Sequence, residues 1–276
     1  YHEDDTIRYG ISCNLGSLNI ATTMDNKRIK EVVKTAMRSL TIVSDITDIK
    51  MVPTIQKANR ELHSVGLGAM NLHGYLAKNF ITYESKEALD FCNVFFMMVN
   101  FYSIECSMEI AKERGATFKG FEDSDYASGV YFDKYTSENY QPVTDRIKEL
   151  FEGIEIPDKA AWEQLKQQVK EHGLYHVYRM AIAPNQSTFY IMNATASIMP
   201  VVDTIEVREY GDSTTYYPMP YLNNDNYFYY KSAYDMDQNN VLRLISVIQR
   251  HVDQGISTIL HTNTKDGTRD LAKYYI

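Results

Sequence analysis

Apolar residues recur at steps of three and four from Asn26 to Asp45, where Ile29, Val32, Val33, Ala36, Met37, Leu40 and Val43 fall on one face of a helix. Pro53 breaks that pattern, and a second helical run follows over Thr54 to Leu62. Met70 to Lys78 also reads as helical. The longest helix is predicted over Lys86 to Arg114, with Ser85 as its N-cap, Glu87 in the first turn and Gly115 at the C′ position. Phe91, Val94, Phe95, Met98, Val99, Tyr102 and Met108 cover more than one of its faces, which predicts burial all round. Lys159 to His172 carries Trp162, Leu165 and Val169 on one side and stops at Gly173; Asn240 to Gln254 carries Leu244, Ile245, Ile248 and Val252 and stops at Gly255.

Between the helical stretches lie short apolar runs that read as strands: Tyr9 to Cys13, leading into a sharp turn at Gly16; Ser64 to Ala69, with two glycines suited to close backbone approach; Tyr178 to Ala183, stopped by Pro184; and Ile256 to Leu260. Thr204 to Arg208 and Thr214 to Tyr217 flank Gly211-Asp212 and predict a hairpin. Phe118 to Gln141 is irregular and Tyr-rich, an ordered excursion. Strand, loop and helix alternate at least four times, which predicts an α/β fold of parallel strands with helical crossovers. It also predicts that the loops after Cys13, Gly68, Ala183 and Leu260 share the carboxyl end of the strands, so that Cys13 and the Pro184 loop face one cavity.

Composition narrows the function. The chain has 276 residues and 44% apolar content, enough for a substantial core in one large or two ordinary domains. A net charge of −8 without Lys/Arg clusters argues against a nucleic-acid polymer as partner, though not against a small anion in a local site. Three cysteines, Cys13, Cys92 and Cys106, fit a reducing compartment. The most apolar window, Phe91 to Ile104, contains Asn93, Asn100 and Tyr102 and is shorter than the roughly 20 residues of a membrane span. No signal peptide is visible, and both ends read as cut from a larger folded unit.

One stretch gathers candidate chemistry. After the apolar run that ends at Ala183 come Pro184, Asn185, Gln186, Ser187 and Thr188, then Asn193, Thr195 and Ser197 before Pro200. A helix starting there would present unpaired N–H groups to an anion such as phosphate, or would simply be a capped helix; the residues alone favour the capped helix. Cys13 is either a thiol presented to a cavity or a small buried apolar residue. Cys92 and Cys106, fourteen apart on one buried helix, read as core. His172, His176 and His251 have no Cys or carboxylate partners at metal-ligand spacing and read as structural, so no metal site is expected. The Tyr216 to Tyr230 aromatics read as packing.

Taken together, Ile11-Ser-Cys13-Asn-Leu-Gly-Ser-Leu-Asn-Ile20, Ser64-Val-Gly-Leu-Gly-Ala-Met-Asn-Leu-His-Gly-Tyr-Leu76, Thr215-Tyr-Tyr-Pro-Met-Pro220, His251-Val-Asp-Gln-Gly255 and Thr268-Arg-Asp270 resemble, in order, motifs of the catalytic (large) subunit of ribonucleotide reductase, nearest its class Ib type. The resemblance implies that residues 1–276 are the C-terminal portion of a ten-stranded α/β barrel whose N-terminal half, with the finger loop, lies outside the chain. It implies reduction of ribonucleoside diphosphates to deoxyribonucleoside diphosphates by a thiyl-radical mechanism, with Cys13 as the second of the two reducing cysteines. Pro184, Asn185, Gln186, Ser187 and Thr188 align with a substrate-phosphate loop usually written Pro-Thr-Gly-Ser-Ile, so the Thr-Gly pair is replaced by Asn-Gln here. The finger-loop Asn-x-Cys-x-Glu, the first redox cysteine, the effector segments and the C-terminal Cys tail of the family do not occur in the chain. Tyr274-Tyr275 comes too early for the radical-relay pair. The implied partners are the N-terminal portion of the subunit, a metal-containing small subunit that generates the radical, a glutaredoxin- or thioredoxin-like dithiol, and the nucleoside diphosphate, with no cofactor held by this chain and a cytoplasmic setting. The alternative is an inactive split or degenerate fragment that serves as an assembly module.

Overall fold

The computed structural model describes residues 6–10, 12–47, 49–185, 187–263 and 272; Gln186, Thr268-Arg-Asp270 and Tyr274-Tyr275 lie outside them. In chain order the elements are β1 (Leu15–Asn19), α1 (Ile20–Asp25), α2 (Ile29–Ile46), α3 (Pro53–Leu62), β2 (Gly66–Met70), α4 (Leu72–Lys78), α5 (Lys86–Arg114), the short α6 (Asp125–Ser128), α7 (Asp133–Ser137) and α8 (Asp145–Leu150), then α9 (Lys159–His172), α10 (Thr188–Ile191), the hairpin β3 (Ile205–Tyr210) and β4 (Ser213–Pro218), and α11 (Gln238–Gln249).

β1 pairs in parallel with β2, Leu15 opposite Gly66 and Asn19 opposite Met70. Parallel bridges continue the series from Leu67 to Met180 and from Ile182 to Ile256. Four segments thus lie side by side in the order of the chain, as right-handed helical crossovers would place them. The outer two contacts are single bridges: Leu67 N donates to Arg179 O at 2.8 Å and Ser257 N to Ile182 O at 2.9 Å. Gly68 marks the closest approach, because a Cβ there would lie 2.6 Å from the Ala181 carbonyl oxygen.

The first strand is displaced from its expected place. It begins at Leu15, two residues beyond Cys13, and Gly16 is inside it, not at a turn. Pairing with a segment fifty residues later sets this register, and Gly16 fits because a Cβ there just contacts Leu40 of α2 at 3.4 Å. The run Ile256 to Leu260 contributes one bridge, and α11 ends at Gln249, five residues short of expectation. The Gln249 amide fixes the turn that follows, donating to Val252 O and Gln254 O at 3.1 and 2.8 Å.

α2 packs against β1 and β2, and α1 against β1. The α5 caps are as expected: Ser85 Oγ accepts from Ala88 N at 3.1 Å, and Gly115 takes φ +60°. α5 is long and apolar enough to cross a membrane, yet 89% of its most apolar window is buried inside the fold, so it is the core helix. The Tyr-rich excursion is ordered through α6 and α7. Tyr135 stacks on Trp162 at 3.9 Å, and Asn100 of α5 donates to the hydroxyls of Tyr131 and Tyr135, both at 2.9 Å.

Two buried imidazoles hold the outer pieces to this frame. His73 Nδ1 accepts from Val201 N at 3.0 Å, so the proton is on Nε2, which donates to Tyr229 O at 2.9 Å. His251 bridges Tyr135 Oη and Asn93 Oδ1, both at 3.0 Å. Burial lowers the pKa of His73 to about 4; burial, with the Lys134 and Arg250 charges, lowers that of His251 to about 3. An unfolded imidazole titrates near 6.5, so below that pH the unfolded chain takes up protons that the folded chain refuses. Stability is therefore expected to be full above about pH 6.5 and to fall as the pH drops toward 4, by on the order of 3 kcal/mol from His73 alone. Urea midpoints at pH 7.5 and pH 4.5 read this directly, and equal midpoints would contradict it.

Candidate active site

The carboxyl ends of β1, β2 and the Met180 segment converge on a network of asparagines. Asn19, the last residue of β1, caps α1 by accepting from Thr22 N at 3.4 Å. Asn71 follows β2 in the left-handed region, φ +70°, a conformation asparagine tolerates. Its Nδ2 donates to Asn19 Oδ1 at 3.0 Å and its Oδ1 accepts from Thr195 N at 3.0 Å. Thr195 is also held through its carbonyl, which accepts from Asn71 N at 2.9 Å, and through its hydroxyl, which accepts from Gly74 N at 3.3 Å.

Pro184 ends the third segment, and Asn185 turns inward. Its Oδ1 accepts from Ser197 N at 2.6 Å and its Nδ2 donates to Ser17 Oγ of β1 at 2.7 Å. Ser187 and Thr188 are exposed. The helix expected after them is one turn, α10, whose first amide, Thr188 N, is already bonded to Asn185 O at 3.0 Å. A single turn adds little dipole, so an anion here would depend on the loop's own hydroxyl and N–H groups. The chain then passes Asn193 and Ser197 with φ +45° and +51°. Pro184 of the loop and Thr195 to Ser197 of this turn border a cavity of about 570 Å³, which Asn185, Ser187 and Thr188 do not line. Phe189, Met199, Val201, Val207, Met219 and Ile259 give it mostly apolar walls. At its edge Arg208 donates to Glu206 Oε1 at 2.9 Å and lies 4.5 Å over the Tyr190 ring, whose hydroxyl donates to the same oxygen at 2.7 Å. Two lining groups, Ser197 Oγ and His261 Nδ1, are buried without a hydrogen-bond partner.

Cys13 is exposed and stands before β1, at the amino end of the strand. It does not line the cavity. The expectation that it shares a strand-end cavity with the Pro184 loop fails because β1 starts after Cys13 and not before it. The loop reaches β1 at Ser17, four residues or about 13 Å further along. Cys92 and Cys106 are buried as expected, and burial pushes both thiols up, that of Cys106 to about 12. His176 is buried between Ser107 Oγ and Thr41 Oγ1, both at 2.9 Å, and is structural. Among the described residues no three His, Cys, Asp or Glu side chains gather as a metal site requires.

One pairing could not be read from the sequence, although Asp253 lies in the His251-Val-Asp-Gln-Gly255 motif. Arg179, fully buried, pairs with Asp253 at 2.9 Å and donates to Tyr126 Oη at 3.0 Å and Ser103 Oγ at 3.3 Å. The Asp253 carboxylate also accepts from Arg179 N and Met180 N, at 3.0 and 2.8 Å. The pair fastens the segment leading to Pro184 onto α5, the Tyr excursion and the turn before Ile256.

A family model described as "Ribonucleotide reductase, barrel domain" matches residues 3–276. The chain belongs to this family. It is 55% identical over 271 residues to the "Ribonucleoside-diphosphate reductase subunit alpha" of Bacillus subtilis (strain 168), covering 98% of this chain and 39% of that protein. It is 44% identical over 274 residues to the subunit alpha of Mycoplasma pneumoniae, covering 96% of this chain and 38% of that protein. Against the subunit alpha of Treponema pallidum (strain Nichols) the identity is 32%, covering 96% and 29%. The chain thus spans less than half the length of these curated relatives. The mixed α/β architecture, with parallel segments in chain order and an aromatic Tyr cluster, is that of a portion of the ribonucleotide reductase barrel domain.

Proposed function

We propose that residues 1–276 form the C-terminal portion of the catalytic barrel of a ribonucleoside-diphosphate reductase, supplying Cys13 as one reducing thiol and Pro184, Asn185, Gln186, Ser187 and Thr188 as the substrate-diphosphate loop. The observation that carries this is the family match over residues 3–276, within which the motifs around Cys13 and Pro184 stand in the family's order. On this reading the four parallel segments are consecutive strands of a ten-stranded barrel completed by the N-terminal portion of the subunit. That portion brings the finger loop and the first redox cysteine.

In the reaction the ribose 2′-hydroxyl leaves as water and hydrogen takes its place. Two thiols give up two electrons and two protons and become a disulfide. Cys13 supplies one sulfur, and its exposure suits it to meet a second cysteine from the completing portion. A glutaredoxin- or thioredoxin-like dithiol in the cytoplasm then restores the thiols. The initiating radical comes from a metal-containing small subunit, and this chain holds no cofactor of its own. On this reading the hydroxyls of Ser187 and Thr188, both exposed residues, face the diphosphate. Asn185 belongs to this loop, though its amide is already bonded within the protein.

The engaged Asn185 and the departure from Thr-Gly favour, as a second reading, an assembly module without activity. A test separates the two. The chain is joined to or mixed with a portion carrying the finger-loop motif, and CDP binding and reduction are measured. Binding and reduction by the assembly, with neither in the chain alone, are expected. An assembly that is folded yet binds no nucleoside diphosphate overturns the catalytic reading and leaves the module.

A further inference from the structure

We infer that Asn185 is a positioning residue, a brace between β1, the strand that follows Cys13, and the loop that takes the diphosphate. The inference rests on the proposed function and refines one part of it. Each end of the Asn185 amide is engaged inside the protein at short range, Oδ1 with Ser197 N at 2.6 Å and Nδ2 with Ser17 Oγ at 2.7 Å, which fixes its orientation although one N–H and one lone pair remain. Turning either end toward a ligand would leave the Ser197 amide, in a residue only 4% exposed, without its acceptor.

The bond is placed to matter. Ser197 sits at φ +51°, an uncommon conformation for serine that persists only when its surroundings impose it. Asn71 fixes the same turn two residues earlier through Thr195, and Asn71 is tied in turn to Asn19 at the end of β1. Two of the side chains that hold the turn at 193–197, Asn71 and Asn185, thus lead back to β1. Only the Asn185 clamp also includes the Pro184 loop. Through Ser17 it sets the height of that loop along β1, and hence the separation between the bound diphosphate and the reducing thiol.

The test uses the full-length subunit that contains this stretch, assembled with its partners, and compares Asn185→Ala, Ser17→Ala, the double substitution and Asn185→Asp. Two quantities are read: the KM and kcat for CDP, and amide exchange over residues 194–198. A brace predicts that Asn185→Ala and Ser17→Ala each raise KM about tenfold, as expected for one lost hydrogen bond, and that the double substitution adds little to either. It also predicts faster exchange at Ser197 in Asn185→Ala and restored protection in Asn185→Asp, whose two oxygens can accept from Ser197 N–H and from the Ser17 hydroxyl. A direct substrate contact would leave Ser17→Ala with wild-type KM and exchange, and that result, or full additivity of the two single changes, overturns the inference. Should the wild-type assembly reduce no CDP, the proposed function fails, and the exchange comparison still decides the brace by itself.

Discussion

Replacing Asp253 by alanine is expected to lower the stability of the fold by about 3–5 kcal/mol, the cost of leaving a buried charge without its partner. Arg179 is fully buried, and Asp253 is the carboxylate that neutralises it, at 2.9 Å. The same substitution removes the acceptor of two backbone donors, Arg179 N and Met180 N. Arg179 Nη1 already lacks a partner, so no spare acceptor stands ready to take over. The reciprocal change, Arg179→Met, is expected to be milder, because Asp253 keeps both backbone N–H bonds and a methionine fills much of the same space. The order of the two urea midpoints tests this. Arg179→Met equal to or worse than Asp253→Ala would show that the guanidinium's contacts with Tyr126 and Ser103 outweigh the ion pair. A loss under about 1 kcal/mol in Asp253→Ala would contradict the picture of an uncompensated buried charge. The consequence reaches the site, since this pair fixes the segment that ends at Pro184.

The second large effect concerns the thiol. Cys13→Ser in the assembled subunit is expected to lower steady-state CDP reduction by at least about 100-fold, the lower end of what loss of a proton-transferring group costs. A serine hydroxyl cannot join a second sulfur in a disulfide and so gives up no electron pair. Stability should hardly change, because Cys13 is exposed and precedes β1. Cys92→Ala and Cys106→Ala serve as contrasts: both thiols are buried and both pKa values are raised by burial, so these changes should affect packing and spare the redox step. Turnover by Cys13→Ser within a few-fold of wild type would remove Cys13 from the redox pair.

How legible the molecule was depended on the range of the forces involved. The α5 boundaries could be read because Ser85 and Gly115 act within one turn of the helix they cap. Gly68 announced a close approach, and the neighbouring strand proved to be the Met180 segment. The position of β1 could not be read, since a five-residue strand takes its register from Gly66–Met70, fifty residues away, and Gly16 suits a turn and a crowded strand equally. That one shift placed Cys13 at the wrong end of its strand. The Pro184 loop was found where its proline and its run of polar residues suggested. The role of Asn185 was not visible, because its partners, Ser17 and Ser197, meet it only after three segments have come together. The Arg179–Asp253 pair was hidden for the same reason: 74 residues separate the two charges, and no local pattern pairs them.

The central claim is that Cys13 is oxidised as ribose is reduced. The assembled wild-type subunit, pre-reduced and freed of external dithiol, is given CDP for one turnover, quenched in acid, alkylated and mapped by mass spectrometry. Product formation with Cys13 in a disulfide, and Cys92 and Cys106 still alkylated as thiols after denaturation, is the predicted result; deoxynucleotide formed while Cys13 remains a free thiol would contradict it.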